Sequence, residues 1–323
     1  MGYTSRIQPR EHKIREGDFE ELPALIFNDD NSNPAQRKRD IALWNKHIQI
    51  TPEEFMDVIQ SWFYIDLRVD VKLDRKGLMT VTLQDPKGRF LESFFSANLK
   101  ENKFSESSTI RLTSGNQGKG LASEWLACQV ELYAALGARA LNHKAQLMNG
   151  AHNWARTGMY IDFENTEPEK LVRMRRNLKV KLEAFLQSGL INQEKYNEML
   201  PFTELKNKDD LVQLLAHDFI IPEAMASSEG VQINRDFMDA LVTSMEEQPL
   251  LGQETSPRKE AEEVAGTLVT IWNRTQPKHK PISFTQFGLF QSQYTAIASF
   301  DDTDQMEAIG SRVRGWKFGT LTA

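Results

Sequence analysis

The stretch SGNQGKGLASEW, residues 114–125, sets Gly115, Gly118, Gly120 and a lysine, Lys119, directly ahead of a run with helical spacing. Glycines let a backbone approach a ligand closely. The unpaired N–H groups of a helix N-terminus, together with the helix dipole, favour an anion such as a diphosphate. Lys119 would add positive charge. Spacing narrows the phosphate chemistry. A nucleotide P-loop requires G-x-x-x-x-G-K followed by Ser or Thr, but here Asn116 and Gln117 alone separate Gly115 from Gly118, and Gly120 follows Lys119. A dinucleotide fingerprint belongs to a parallel βαβ unit, whereas the strands ahead of this loop read as antiparallel. A turn that merely enters a helix is the bland alternative.

Other chemistries find little support. His12, His47, His143, His152, His217 and His279 are scattered, and none stands at H-x-x-x-H spacing with another, so no metal site is expected. There is no G-x-S-x-G elbow, and the single cysteine, Cys128, falls on an apolar helix position and reads as core. One cysteine also excludes an internal disulfide framework and suits a reducing compartment. Two basic runs, Arg173/Arg175/Arg176/Lys179/Lys181 and Arg312/Arg314/Lys317, read as a solvated helix face and a tail.

The elements that must position the glycine loop are legible from period. Thr51 is an N-cap candidate, Pro52 takes the first helical position, and Phe55, Val58, Ile59 and Trp62 follow at helical spacing. LRVDVKL, LMTVTLQ and RFLESFFSANL alternate with period two around turns at 74–77 and 85–88, which predicts an antiparallel meander. STIRLTS, 108–114, is a fourth short strand leading into the loop. Beyond it Leu121, Trp125, Cys128, Leu132 and Ala135 line one apolar helix face, and Gly137 closes the helix. ARALNHKAQL supplies a further strand, and NGAHNWARTGM a short helix ending near Gly158. From Pro168 onward the pattern is helical and charged until SFTQFGLFQSQYTAIASF, which is aromatic and β-prone. Phe284, Phe287, Phe290, Tyr294 and Phe300 are there either a surface for another chain or core.

In order, Gln117, Gly118, Lys119, Gly120, Leu121 and Ala122 match the pattern of Arg or Gln, two residues, Gly, any residue, then Gly or Ala. This resembles the acyl-CoA pyrophosphate loop of the GNAT superfamily of N-acyltransferases, and the surrounding order of helix, meander, strand, loop, long helix, strand and short helix agrees over about residues 50–163. The resemblance implies an α+β fold: a mixed, mostly antiparallel sheet flanked by helices, with a polar N-terminal arm and a largely helical C-terminal region. It implies acetyl-CoA as acyl donor and an amine acceptor. The strands at 108–114 and 138–146 would splay apart, and backbone donors of Ile110 to Leu112 would polarise the thioester carbonyl. An amine must lose a proton before it attacks. Glu106 lies at the family's spacing ahead of Gln117 for a catalytic glutamate, or is a solvated loop residue between Ser105 and Ser107; Glu92 is a second candidate. His143 and His152 would flank the cleft, either contributing or as ordinary hydrogen-bonded histidines. The family's thiolate-protonating tyrosine is replaced by Trp154, at a shorter distance from Asn149 than usual. An indole cannot supply that proton, so Tyr160 takes the role, the thiolate leaves unassisted, or there is no catalysis and Trp154 is a core residue.

The whole composition bounds these readings. Over 323 residues, 40% hydrophobic and 26% charged content is ordinary for a globular chain able to bury a core. A net charge of -6 gives no overall attraction for a polyanion, so neither nucleic acid nor an anionic membrane is the default partner. The N-terminus has no apolar stretch, and no run is long enough to span a bilayer. The expected division is an arm over 1–50, an acyltransferase domain over 51–163 and a helical region over 164–323. Two functions follow. One is a cytoplasmic N-acetyltransferase; the other is a degenerate GNAT-like assembly protein, for example a virus-particle component, which Trp154, the polar arm and the helical half would suit.

Overall fold

The structure, a computed structural model, describes the chain outside residues 1–14, 16, 21, 23, 29–33, 63–66, 89, 100–102, 114–120, 146–149, 222–233, 250–255, 276–280, 291 and 313–323. It is a mixed α+β protein that divides into two compact units, residues 1–144 with 297–323, and residues 145–296. This differs from the expected division. The first unit takes in the arm and returns to collect the chain's last residues, and the second starts before residue 164.

In the first unit α1 (Gly17–Glu20), β1 (Leu25–Phe27), α2 (Pro34–His47) and α3 (Pro52–Trp62) precede the meander. Residues 1–50 are therefore not merely a polar arm: β1 pairs in parallel with β2 (Arg68–Leu73), Leu25 opposite Val69 and Phe27 opposite Val71. Three residues are too short a run to announce a strand by alternation. The pairing is extended by a side chain. Asn28, at a φ of 51° that asparagine tolerates better than most residues, accepts from Leu73 N at 2.8 Å and donates to Leu73 O at 3.1 Å. It also donates to Asp40 of α2, which receives Gln36 as well. Nearby, Trp44 is fully buried among Phe19, Phe27 and Phe55, its indole N–H bonded to Ile50 O.

Helix α3 begins as its residues dictate. Thr51 Oγ1 accepts from Glu54 N at 3.0 Å and Glu54 Oε2 accepts from Thr51 N at 2.8 Å, a reciprocal capping box. Strands β2, β3 (Leu78–Gln84), β4 (Phe90–Asn98) and β5 (Lys103–Leu112) then pair antiparallel in chain order. The turns are built by Asp74 and Asp85, whose carboxylates bind backbone N–H groups two residues on, with Gly77 and Gly88 at φ of 84° and 65°. Val69, Val71, Leu73, Met79, Val81, Leu83, Phe95 and Ala97 are buried by strict alternation, so one sheet face is core.

Helix α4 (Leu121–Ala135) lies on that face, with Trp125 and Tyr133 edge-on to Phe95. Every residue from Trp125 to Tyr133 is buried, Gln129 and Glu131 included. The single apolar stripe seen in the sequence is too narrow a description: this helix is enclosed on all sides. Gly137, at φ 82°, ends it, with Gly137 N bonded to Ala134 O and Ala138 N to Tyr133 O. Next comes β6 (Ala140–Ala145). The chain returns at the end of β8 (Tyr294–Ser299), where Phe300 N bonds Arg139 O, and closes the unit with α12 (Thr303–Arg312).

The second unit holds α5 (Gly150–Arg156), β7 (Tyr160–Ile161), α6 (Pro168–Gln187), α7 (Gln193–Thr203), α8 (Asp210–Ala216), α9 (Arg235–Glu247), α10 (Pro257–Thr275) and α11 (Phe284–Leu289). Helix α7 has no counterpart in the sequence reading, because Pro201 interrupts its pattern. The β-prone aromatic stretch is half helix, α11, and half strand, β8. Its aromatic residues Phe284, Phe287, Phe290 and Tyr294 are buried in this unit, Phe284 and Phe287 against Phe185, which also meets Phe219 and Phe237. Phe300 is buried in the first unit. They are core.

Two members of the basic run on α6 also depart from expectation. Arg176 is buried and binds both carboxylate oxygens of Glu260 on α10 and the carbonyl of Gln248. Lys181 is buried without a carboxylate partner and donates to backbone carbonyls of α11. A run of charges reads as solvated only when nothing packs over it, which linear sequence does not reveal.

The capping box gives a direct test. Thr51→Ala is expected to cost about 1 kcal/mol of stability, read as a lower urea midpoint at unchanged m-value; an unaltered midpoint would mean that water replaces the cap without loss.

Candidate functional site

The loop of interest joins β5 to α4, both in the first unit. Gln117, Gly118, Lys119 and Gly120 lie outside the described residues, so the site is defined by what enters and leaves them. Leu121 is the first residue of α4 and is half-buried; Ala122 follows it in the first turn. A fifteen-residue helix directly after three glycines is a sound electrostatic platform for an anion.

Among the described residues the first ladder ends at β5. The first sheet runs β1-β2-β3-β4-β5, and β6 belongs to a second sheet in the order β6-β8-β7. Thus β5 and β6, the strands expected to splay, are not hydrogen-bonded neighbours. An edge strand directs the N–H and C=O of alternate residues away from its partner. Ile110 pairs with Ser93 and Leu112 with Phe90, and the register shifts between Phe90 and Glu92 opposite Leu112 and Arg111. Such a bulge strengthens local twist and turns the strand end away from a flat continuation. Ile110 and Leu112 are half-buried.

Glu106 is not a loop residue. Strand β5 starts at Lys103, five residues before the β-prone stretch suggested, and so carries Glu106 two residues ahead of Ser108, the partner of Phe95. The run KFSES is too polar to announce a strand; pairing with β4 makes it one. Glu92 lies on β4 opposite Arg111. Tyr160 belongs to the second unit, half-buried on β7, with Lys208 Nζ 5.0 Å from its ring centroid and Ile161 N bonded to Lys208 O. Trp154, also in the second unit, is half-buried on α5; its carbonyl receives Met159 N as Gly158, at φ 91°, ends the helix.

Sequence reasoning missed what holds α4 in place. Trp125 Nε1 donates to Ser93 Oγ at 2.8 Å in the core, and Tyr133 Oη reaches Ser96 O. Trp125 also lies 5.9 Å from the ring of His143 on β6. So α4 bonds to β4 and meets β6 through one indole. No spacing in the sequence links Ser93, Trp125 and His143, since the contact depends on how the layers stack. Cys128 is buried and burial raises its pKa further, with Glu131 adding to the effect, so it is no nucleophile.

His143 is buried in the first unit, and burial lowers its pKa to about 3. His152, on α5 of the second unit, is lowered to about 4 by burial and then by the charge of Arg156. Each is a neutral imidazole at neutral pH. Among the described residues no group of three His, Cys, Asp or Glu side chains is placed to hold a metal ion, and no helix is long and apolar enough to cross a membrane.

Compared with protein-family models, with curated proteins and with solved structures, the chain matches none of them.

The histidines set an acid response. A folded-state pKa below the unfolded value of 6.5 means that the unfolded chain binds protons first as pH falls. Their contribution is complete above 6.5 and is lost progressively toward 3. The urea midpoint should therefore drop between pH 6.5 and 4, less steeply in His143→Gln; equal slopes in the two proteins would refute the assignment to His143.

Proposed function

We propose that the protein is an acyl-CoA-dependent N-acyltransferase of the GNAT type, moving an acetyl group from acetyl-CoA to an amine. The observation that carries this reading is the end of the hydrogen-bonded sheet at β5, directly before a glycine loop that opens the long buried helix α4. A ligand that needs both strand-like backbone pairing and a diphosphate cradle suits this arrangement. The pantetheine amides would pair with backbone groups of β5. Backbone N–H groups of residues 117–122 would take the diphosphate, with Lys119 adding charge.

In the reaction, backbone donors at Ile110 to Leu112 polarise the thioester carbonyl and stabilise the oxyanion that forms as the amine nitrogen attacks. Glu106, directly or through water, accepts the proton the amine must lose. Collapse of the tetrahedral intermediate breaks the C–S bond and releases the thiolate, leaving the amide. A thiol pKa of about 8.5 lets that thiolate depart unassisted, which fits Trp154 where the family has an acid. That same tryptophan favours a second reading, a GNAT-like assembly module without turnover, for example in a virus particle. Native mass separates the two: a small species that binds acetyl-CoA supports the enzyme, and a large ring or particle without binding supports the assembly role.

Acetyl-CoA should bind in calorimetry, and Gly118→Glu should weaken it by about tenfold or more, since loss of one charge-assisted hydrogen bond costs roughly 1.5–3 kcal/mol. Glu106→Gln should leave binding intact while lowering kcat over a panel of amines by about a hundredfold or more. Absence of binding by the unaltered protein would defeat the proposal.

A further inference from the structure

In the second unit, Lys181 stands apart from every other buried charge. Arg176, one turn and a half earlier on α6, has Glu260 as a counter-ion. Lys181 is 3% exposed and has none. Its Nζ donates to Phe287 O at 2.8 Å and Gly288 O at 3.2 Å and lies 4.5 Å from the centroid of the Phe287 ring. Two of the three N–H donors of an ammonium are thus taken by carbonyls, and the ring lies close to the same nitrogen. The carbonyls belong to the last turn of α11, the negative end of its dipole. Here α6 and α11 touch as closely as side chains allow: a Cβ on Gly288 would stand 2.7 Å from Leu178 Cδ2.

Nothing charged opposes the site among the described residues. Helix α11 has no ionisable residue. On α9 the side facing the core is Phe237, Ala240, Leu241, Ser244 and Met245, while Arg235, Asp236, Asp239, Glu246 and Glu247 are exposed. On α10 Glu260 is taken by Arg176, and Arg258, Lys259, Glu262 and Glu263 point outward or are exposed. The charged residues of α7 are Glu194, Lys195 and Glu198, the last two paired with each other. On α5, His152 is neutral and Arg156 exposed. Asp218 spends its carboxylate on Thr285, at the opposite end of α11. On α6 itself Lys179 and Glu183 are half-buried.

We infer that Lys181 is a proton-operated latch that couples the seating of α11, and of the chain it feeds into β8, to pH. As an ammonium it donates to both carbonyls. As an amine it has one donor fewer, and its lone pair must face a carbonyl or the ring. Desolvation without a counter-ion favours the neutral form, and burial brings the pKa down from 10.5 to about 7. Both forms are then populated at neutral pH, whereas an unfolded lysine stays charged. Between those two values the unfolded chain binds the extra proton, so stability of this unit rises with pH across that window and is independent of this group below it. The chain from α11 into β8 is short, and Tyr294 there bonds Ala151 O of α5, so a change in seating is transmitted within the unit.

Lysine-labelled full-length protein, titrated by carbon NMR at Cε, tests this. Lys181 should titrate near 7, down from the ordinary lysine value of 10.5, and the carbonyl resonances of Phe287 and Gly288 should shift with the same midpoint. The folded-to-unfolded ratio should rise about tenfold per pH unit above that midpoint relative to Lys181→Met. Titration of Lys181 together with the surface lysines, or carbonyls that do not move, overturns the latch even if Lys181→Met fails to fold.

Discussion

Among the described residues the first sheet runs from β1 to β5, and β4 is the one strand that pairs with β5. Folded proteins rarely leave a strand edge unpaired beside a buried element, because each unpaired N–H or C=O shut away from water costs free energy. The edge must therefore face solvent, meet side chains or be completed by a ligand. Everything proposed about chemistry in this chain follows from that interruption, from the bulge at Phe90/Glu92 beside it, and from the glycine loop that follows within a few residues.

Helix α4 makes the interruption tolerable. With Trp125 to Tyr133 enclosed and Trp125 bonded to Ser93, the helix is anchored to β4 while its indole meets His143 on β6. Helix α4 thus touches β4 and β6 through the one side chain of Trp125. A helix N-terminus anchored in this way keeps its direction, and fixed dipoles are what an anion site requires.

The second unit solves a different problem. Its core is aromatic, centred on Phe185, yet it admits two cations from α6. Arg176 is neutralised by Glu260 and ties α6 to α10; Lys181 has only dipoles and a ring, and ties α6 to α11. A paired buried charge is a fixed strut, whereas an unpaired one is free to exchange its proton. The same helix thus carries one buried cation held by a carboxylate and one held by carbonyls and a ring.

Local chemistry determined much of this protein from sequence. The capping box at Thr51, the Asp–Gly turns at 74–77 and 85–88, the alternation of β2 and β3 and the glycine stop at Gly137 all depend on neighbours a few residues away. The helix that starts at Leu121 was legible for the same reason. Tertiary structure alone decided that residues 25–27 join the sheet, that the polar run at 103–107 is strand and carries Glu106, that Gln129 and Glu131 are buried, and that α11 is a helix within a β-prone stretch. Burial of Arg176 and Lys181 belongs with these. Each depends on which distant surface packs over a segment, and removal of water by such packing changes the cost of a charge or an unpaired amide far more than any local propensity does.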